Sequence, residues 1–376
     1  MKAFQILIIF FSILLFSCQK KDLEKSTLDP NNQSIPDSVK AIVLASLSTT
    51  QNLTVLNPDG SLRWEKQGHF YSDPIYHQGD LYYVGDGGIN VVDITNGSLK
   101  WAAYGTLVSL PTFNNNILYS TSSGQFLEID SKNGALLMDP TYVNQVVPIP
   151  PLYKDSILYL VSSNSFAYYT LKAFDLKTRN ILWEIQTGIN PIKSMTISDS
   201  TLCIINGVSS FIAINAKTGS IKWQKTDREY SEYIIKDNVV YVTTKDLPRE
   251  MFAFDIGKGT TNWEWGNPIS LFTLERPYLY KGNLYFDVSD IANNKFVVSL
   301  DCKTGVEQKR ISEENKFSNW KIALVDDKLY KLRWYFNEST RALMVFNPEN
   351  YKIIDSIPLS NDYVYTDMQI IKSSQQ

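Results

Sequence analysis

The chain has 376 residues, 44% of them hydrophobic and 13% aromatic, which is ample for a large buried core and excludes a disordered protein. With 36 basic and 39 acidic residues the net charge is -3, so no global field draws it to nucleic acid or to an anionic bilayer. Only two histidines, His69 and His77, and three cysteines, Cys18, Cys203 and Cys302, occur, which removes most metal and nucleophile chemistry.

At the N-terminus, Lys2 precedes an apolar run from Phe4 to Phe16 broken only by Gln5 and Ser12. Residues 1–17 therefore have the charged start and short apolar stretch of a secretory signal, and the run is too short to span a bilayer comfortably. Leu15-Phe16-Ser17-Cys18 resembles the bacterial lipobox, whose cysteine is diacylated and becomes the new N-terminus. The resemblance implies lipid attachment at Cys18, with an ordinary signal peptide or an uncleaved anchor as the other readings. Neither Gln19 nor Lys20, the two residues after Cys18, is the Asp that would imply inner-membrane retention, so the same resemblance implies an outer-membrane lipoprotein facing the periplasm or the outside. Residues 18–40 are polar, carry Pro30 and Pro36 and show no apolar periodicity; a flexible tether is expected.

From residue 41 onward one unit recurs: an apolar strand ending in Asp or Asn, a tight turn usually carrying Gly, and a short strand usually carrying Trp. The eight copies run from Leu53 to Trp64, Ile89 to Trp101, Phe126 to Met138, Leu171 to Trp183, Phe211 to Trp223, Met251 to Trp263, Val297 to Lys309 and Leu343 to Asp355. Their anchors, Asn57, Asp93, Asp130, Asp175, Asn215, Asp255, Asp301 and Asn347, are spaced by 36, 37, 45, 40, 40, 46 and 46 residues. Spacing near 40 with alternating short strands is the signature of a four-stranded propeller blade. An Asp or Asn side chain can bond its own backbone two residues on, and the glycine supplies a left-handed position. Upstream apolar runs such as Leu81-Tyr82-Tyr83-Val84 and Val239-Val240-Tyr241-Val242, each preceded by a shorter one, complete four strands per unit. The first unit lacks its innermost strand, and Val364 to Ile371 follows the eighth hairpin without a hairpin of its own. The expected fold is all-β: an eight-bladed propeller over residues 41–371 with four-stranded antiparallel blades, closed by the C-terminal strand pairing into blade 1, with residues 372–376 as a tail.

The unit resembles the PQQ-type β-propeller repeat, close to A-x-D-x-x-T-G-x-x-x-W, with Ala213-Ile214-Asn215-Ala216-Lys217-Thr218-Gly219-Ser220-Ile221-Lys222-Trp223 as the nearest copy. The resemblance implies that Trp64, Trp101, Trp183, Trp223 and Trp263 are docking tryptophans packed between adjacent blades. Met138, Lys309 and Asp355 depart from it, so the repeat alone does not say how blades 3, 7 and 8 pack.

Quinoprotein dehydrogenases share this repeat, and the resemblance would imply adjacent cysteines and a carboxylate and amide set holding Ca²⁺. The chain has no adjacent cysteine pair, and its repeated carboxylates are accounted for by turns; neither PQQ nor any other cofactor, catalytic residue or metal site is expected. His69 and His77 flank the first strand of unit 2 and read as solvated loop residues, and Asp86-Gly87-Gly88 joins two strands and reads as a turn. Behind a lipobox, eight such units resemble the BamB-type lipoproteins of the outer-membrane assembly machinery. That resemblance implies a non-enzymatic membrane-tethered scaffold with an envelope protein as partner. Two alternatives remain: a surface lipoprotein that binds glycan or a small ligand through aromatic loop residues, and a degenerate quinoprotein oxidoreductase.

Loop lengths point to the working face. Each blade reverses at every strand, so its first and third connections share one face of the ring, and its second connection and the link to the next blade share the other. The long segments fall in the second class, and loops on a rigid scaffold are where binding residues concentrate. Phe166, Tyr168, Tyr169, Arg228, Tyr230, Arg249, Phe317, Tyr335 and Phe336, aromatic and arginine residues of the kind enriched in interface hot spots, are the expected partner contacts.

Overall fold

The computed structural model describes residues 39–46, 51–105, 108–122, 124–139, 141–142, 149–163, 168–207, 210–245, 250–266, 277–290, 292, 294–313, 317–335 and 340–372. The expected signal, Cys18 and nearly all of the expected tether lie outside them. Among the described residues, strands form eight four-stranded antiparallel sheets, an eight-bladed propeller. Blade 2 is representative, with Ile75–His77, Asp80–Gly85, Gly88–Asp93 and Leu99–Tyr104 side by side in chain order. Blade 1 departs from that order: Leu62–Gln67, Asn52–Leu56 and Val39–Ser46 are completed by the C-terminal strand Asp367–Lys372, with Ile42 opposite Ile370 and Leu44 opposite Met368. The chain ends thus close the ring as expected.

First strands of neighbouring blades lie against one another, as in blades 3, 4 and 5, and so line the axis. Second strands are sandwiched between blades, which is why Asp80–Gly85 and Thr201–Asn206 are buried along their whole length and read as apolar runs. Fourth strands form the rim, and most of their residues are at least partly exposed, as in Ile181–Gly188.

The short-turn face is uniform. First connections are two-residue turns such as Asp155-Ser156, Asp237-Asn238 and Asp326-Asp327, with both residues left-handed, the geometry that matches strand twist. In third connections the anchor side chain accepts a backbone N–H two residues on: Lys132 N to Asp130, Lys177 N to Asp175 and Lys217 N to Asn215, at 2.7–2.9 Å.

Those turns also build the seams. The indole N–H groups of Trp64, Trp101, Trp183, Trp223 and Trp263 donate to the carbonyls of Ile94, Ser131, Ala216, Ile256 and Cys302, each in the third connection of the next blade, at 2.8–3.0 Å. Each ring also lies under that connection's glycine. At Gly259, with φ +70°, a Cβ would fall 2.5 Å from Trp223 Cγ.

The seams that lack a tryptophan exchange large for small. Between blades 3 and 4 Met138 replaces Trp, Arg179 replaces Gly with φ +63°, and the guanidinium reaches back to Met138 and Glu128, its Nη2 3.1 Å from Glu128 Oε2. Between blades 7 and 8 Tyr351, φ +60°, takes the glycine position and buries its ring, while Lys309 Nζ donates to Glu349 O at 2.9 Å. A buried ion network lies beneath: Lys331, 0% exposed, bonds Asp287 at 2.7 Å and lies 3.4 Å from Glu313, which Arg333 also bonds. At the closing seam Ile357 packs over Gly60.

Candidate partner-binding face

The long-loop face owes its best-defined feature to backbone pairing. Phe70 bridges Gly85, Tyr71 N donates to Val84 O at 2.8 Å, and Val84 N donates to Ser72 Oγ at 3.0 Å, so the link from blade 1 is stapled to blade 2. A Cβ at Gly85 would stand 2.7 Å from His69 O, so the close approach requires glycine. Phe70 buries its ring against Tyr83, 4.8 Å between centroids, and extended backbone turns its neighbours outward. His69 Nδ1 and Tyr71 Oη each lie 2.6 Å from an oxygen of Asp86, with Tyr71 62% exposed. The Tyr71 hydroxyl holds the Asp86 carboxyl below its usual range, and the carboxylate in turn raises the Tyr71 hydroxyl. The result is an exposed imidazole and phenol pre-oriented by one shared carboxylate.

The residues expected to contact a partner divide into distinct environments. Tyr168 is exposed beside Tyr169, which begins the third strand of blade 4 and is half-buried. Arg228 Nε lies 3.0 Å from Glu250, tying the link before blade 6 to the strand after its second connection. Tyr230 is not available: it is 1% exposed in the first strand of blade 6, packs between Phe211 and Phe254, and donates to Asp227 at 3.0 Å. Phe317 and Tyr335 are strand residues opposite one another and not loop residues, because the blade 8 ladder runs on to its end. Phe166, Arg249 and Phe336 lie outside the described residues.

Sequence reasoning missed the Tyr71 group, whose one signal was Gly85, the glycine that pairs with Phe70 between two polar rings. His77, expected in a loop, closes the first strand of blade 2, stacks on Phe113 at 4.1 Å and bonds Asn115 O through Nε2. Also missed was a rim on the short-turn side. Leu62, Leu99, Leu136, Ile181, Ile221 and Ile353, each at the start of its blade's outer segment, are between 46% and 58% exposed.

Near the axis the described first strands enclose two cavities of about 350 and 360 Å³, with mainly apolar and neutral lining such as Ile75, Ala323 and Ile370 in one and Thr196, Ile234 and Leu279 in the other. A larger cleft of about 780 Å³ between blades 6 and 7 is lined by Lys236, Tyr241, Lys281 and Cys302, but Lys281 pairs with Glu349 at 2.6 Å. Among the described residues no three His, Cys, Asp or Glu side chains converge in a way that could hold a metal. Cys203 and Cys302 are free thiols, and burial raises the pKa of both.

No curated protein matches the sequence. Among solved structures, BamB from Moraxella catarrhalis superimposes with a TM-score of 0.55 at 16% identity, over 79% of this chain and 89% of that one. The dihydro-heme d1 dehydrogenase NirN superimposes with a TM-score of 0.64 at 10% identity, over 92% and 78% of the two chains. A europium-containing methanol dehydrogenase gives 0.56 at 10% identity, over 85% and 81%. At such identities these likenesses show the fold, which scaffolds and oxidoreductases share. The sequence profile described as outer membrane protein assembly factor BamB matches residues 21–111 and 170–328, well over half of the chain, and the chain belongs to that PQQ-like propeller family.

Proposed function

We propose that the protein is a non-enzymatic scaffold, anchored in the outer membrane by lipid on Cys18, that binds another cell-envelope protein through the long-loop face. The family match carries this reading. The arrangement of the ring supports it: exposed Tyr71, Tyr168 and Ile189 all belong to loops on one face of a rigid scaffold, and tyrosine gives large contact area at little entropic cost. Pre-orientation of Tyr71 and His69 by Asp86 lowers the ordering cost of binding further.

The test is affinity purification from crosslinked membranes, comparing the wild-type chain with a Tyr71→Ala, Tyr168→Ala variant. The reading expects a discrete envelope protein with the wild type and strong depletion of it with the folded variant. Undiminished recovery with the variant would remove the long-loop face from the interaction. Fatty-acid labelling tests the anchor separately: label should be lost in Cys18→Ala, and label that persists there would contradict the lipobox reading.

A further inference from the structure

Among the described residues the propeller begins at Val39, in the second strand of blade 1, and second strands start on the short-turn face. Arg63 confirms the location, donating from Nη2 to Lys40 O at 2.5 Å and from Nε to Asn57 Oδ1 at 2.8 Å, in the outer turn of blade 1. Twenty residues, 19–38, separate Cys18 from this point. Fully extended they reach about 70 Å, but a flexible chain of that length has a root-mean-square span of about 25 Å. To bring the long-loop face to the lipid, the segment would first have to run back along the height of blade 1. Its eight-residue strand Val39–Ser46 alone measures about 26 Å, which consumes that span.

The surface around this point is suited to a bilayer. In the outer turns of blades 3, 4 and 5 an exposed lysine is followed four residues later by an exposed aliphatic: Lys132 and Leu136, Lys177 and Ile181, Lys217 and Ile221; in blade 7 Lys303 is followed by Val306. An aliphatic group at headgroup depth with an ammonium reaching phosphate is the usual chemistry of an interfacial contact. The two-residue turns nearer the axis carry Asp155, Asp199, Asp237, Asp326 and Asp327, so the face has no one-signed field. The tether and the apolar rim select the occupant, and the contact should be nearly insensitive to salt.

We infer that the short-turn face lies against the phospholipid surface and that the long-loop face is turned away from it, toward the partner. This orientation rests on acylation of Cys18. It is tested by lysine acetylation of the full lipidated chain on phosphatidylethanolamine–phosphatidylglycerol vesicles and in detergent, read by mass spectrometry. Lys177, Lys217 and Lys258 should lose most of their reactivity on vesicles, while Lys193 and Lys245, on the long-loop side, keep theirs. Protection of Lys193 and Lys245 instead, or equal protection of both sets, overturns the orientation. Protection that follows protein concentration in detergent assigns the face to a second copy and also overturns it. The mass of the N-terminal peptide separates the two failures: an unacylated chain that leaves the vesicles sinks the anchor and the orientation together, whereas an acylated chain with the wrong lysines protected sinks only the orientation.

Discussion

Truncating Trp223 to alanine should open the seam between blades 5 and 6. The indole is almost fully buried, stacks on Phe211 at 5.6 Å with an interplanar angle of 11°, and donates to Ile256 O at 2.9 Å. Removing a buried ring of this size costs about 3–5 kcal/mol, and leaving the Ile256 carbonyl unbonded adds about 1 kcal/mol or more. Trp223→Phe keeps most of the ring and loses the donor, so about 1–2 kcal/mol is expected. Gly259→Ala attacks the same contact from the other blade, because its φ of +70° costs a side chain about 1 kcal/mol and its Cβ would stand 2.5 Å from Trp223 Cγ. In the Trp223→Ala background the ring contacts are gone and only the backbone cost and a 3.0 Å contact with the Cβ of residue 223 remain, so the double-mutant cycle should show coupling of at least about 1 kcal/mol. Urea denaturation at constant slope measures the four proteins of the cycle and Trp223→Phe. Additive effects, or a Trp223→Ala midpoint equal to wild type, would refute the seam as described.

Lys331→Met removes the buried cation that bonds Asp287 and approaches Glu313, leaving Glu313 to Arg333, and should cost about 3–5 kcal/mol, whereas adding Asp287→Leu should recover much of the loss; denaturation midpoints decide it. Burial pushes the Cys203 thiol up to about 12 and the Cys302 thiol to about 11, so neither should react with a disulfide reagent at pH 8 until the chain unfolds. Because these folded values exceed the ordinary thiol range, the stability they contribute is complete below about pH 8.5 and fades as pH rises toward 11–12; a melting temperature flat over that window would contradict the burial. Titration with PQQ, with and without Ca²⁺, should give no saturable signal by absorbance or calorimetry, and micromolar binding would revive the oxidoreductase reading.

The blades were legible in the sequence because their turn chemistry is local: an Asp or Asn bonds its own backbone within two residues, wherever the blade sits in the ring. The seams at Met138 and Lys309 were not. Their compensating partners, Arg179 and Tyr351, stand 41 and 42 residues away on the next blade, and only the packing of one blade on the next brings them together. Loop ends were read too generously for the same reason. Nothing local marks Tyr230 as a strand residue; its pairing with Thr244 and its packing against Phe254 do. On the candidate face, His69, Tyr71 and Asp86 carry no motif, and their convergence depends on the Phe70–Gly85 pairing.

Site-specific photocrosslinking in intact cells most directly tests the claim that the long-loop face holds an envelope protein. A photoreactive residue in place of Tyr71 or Tyr168 should yield the same discrete protein adduct, and one in place of Lys217 should not. Adducts to that protein from position 217 alone, with none from 71 or 168, would contradict the account.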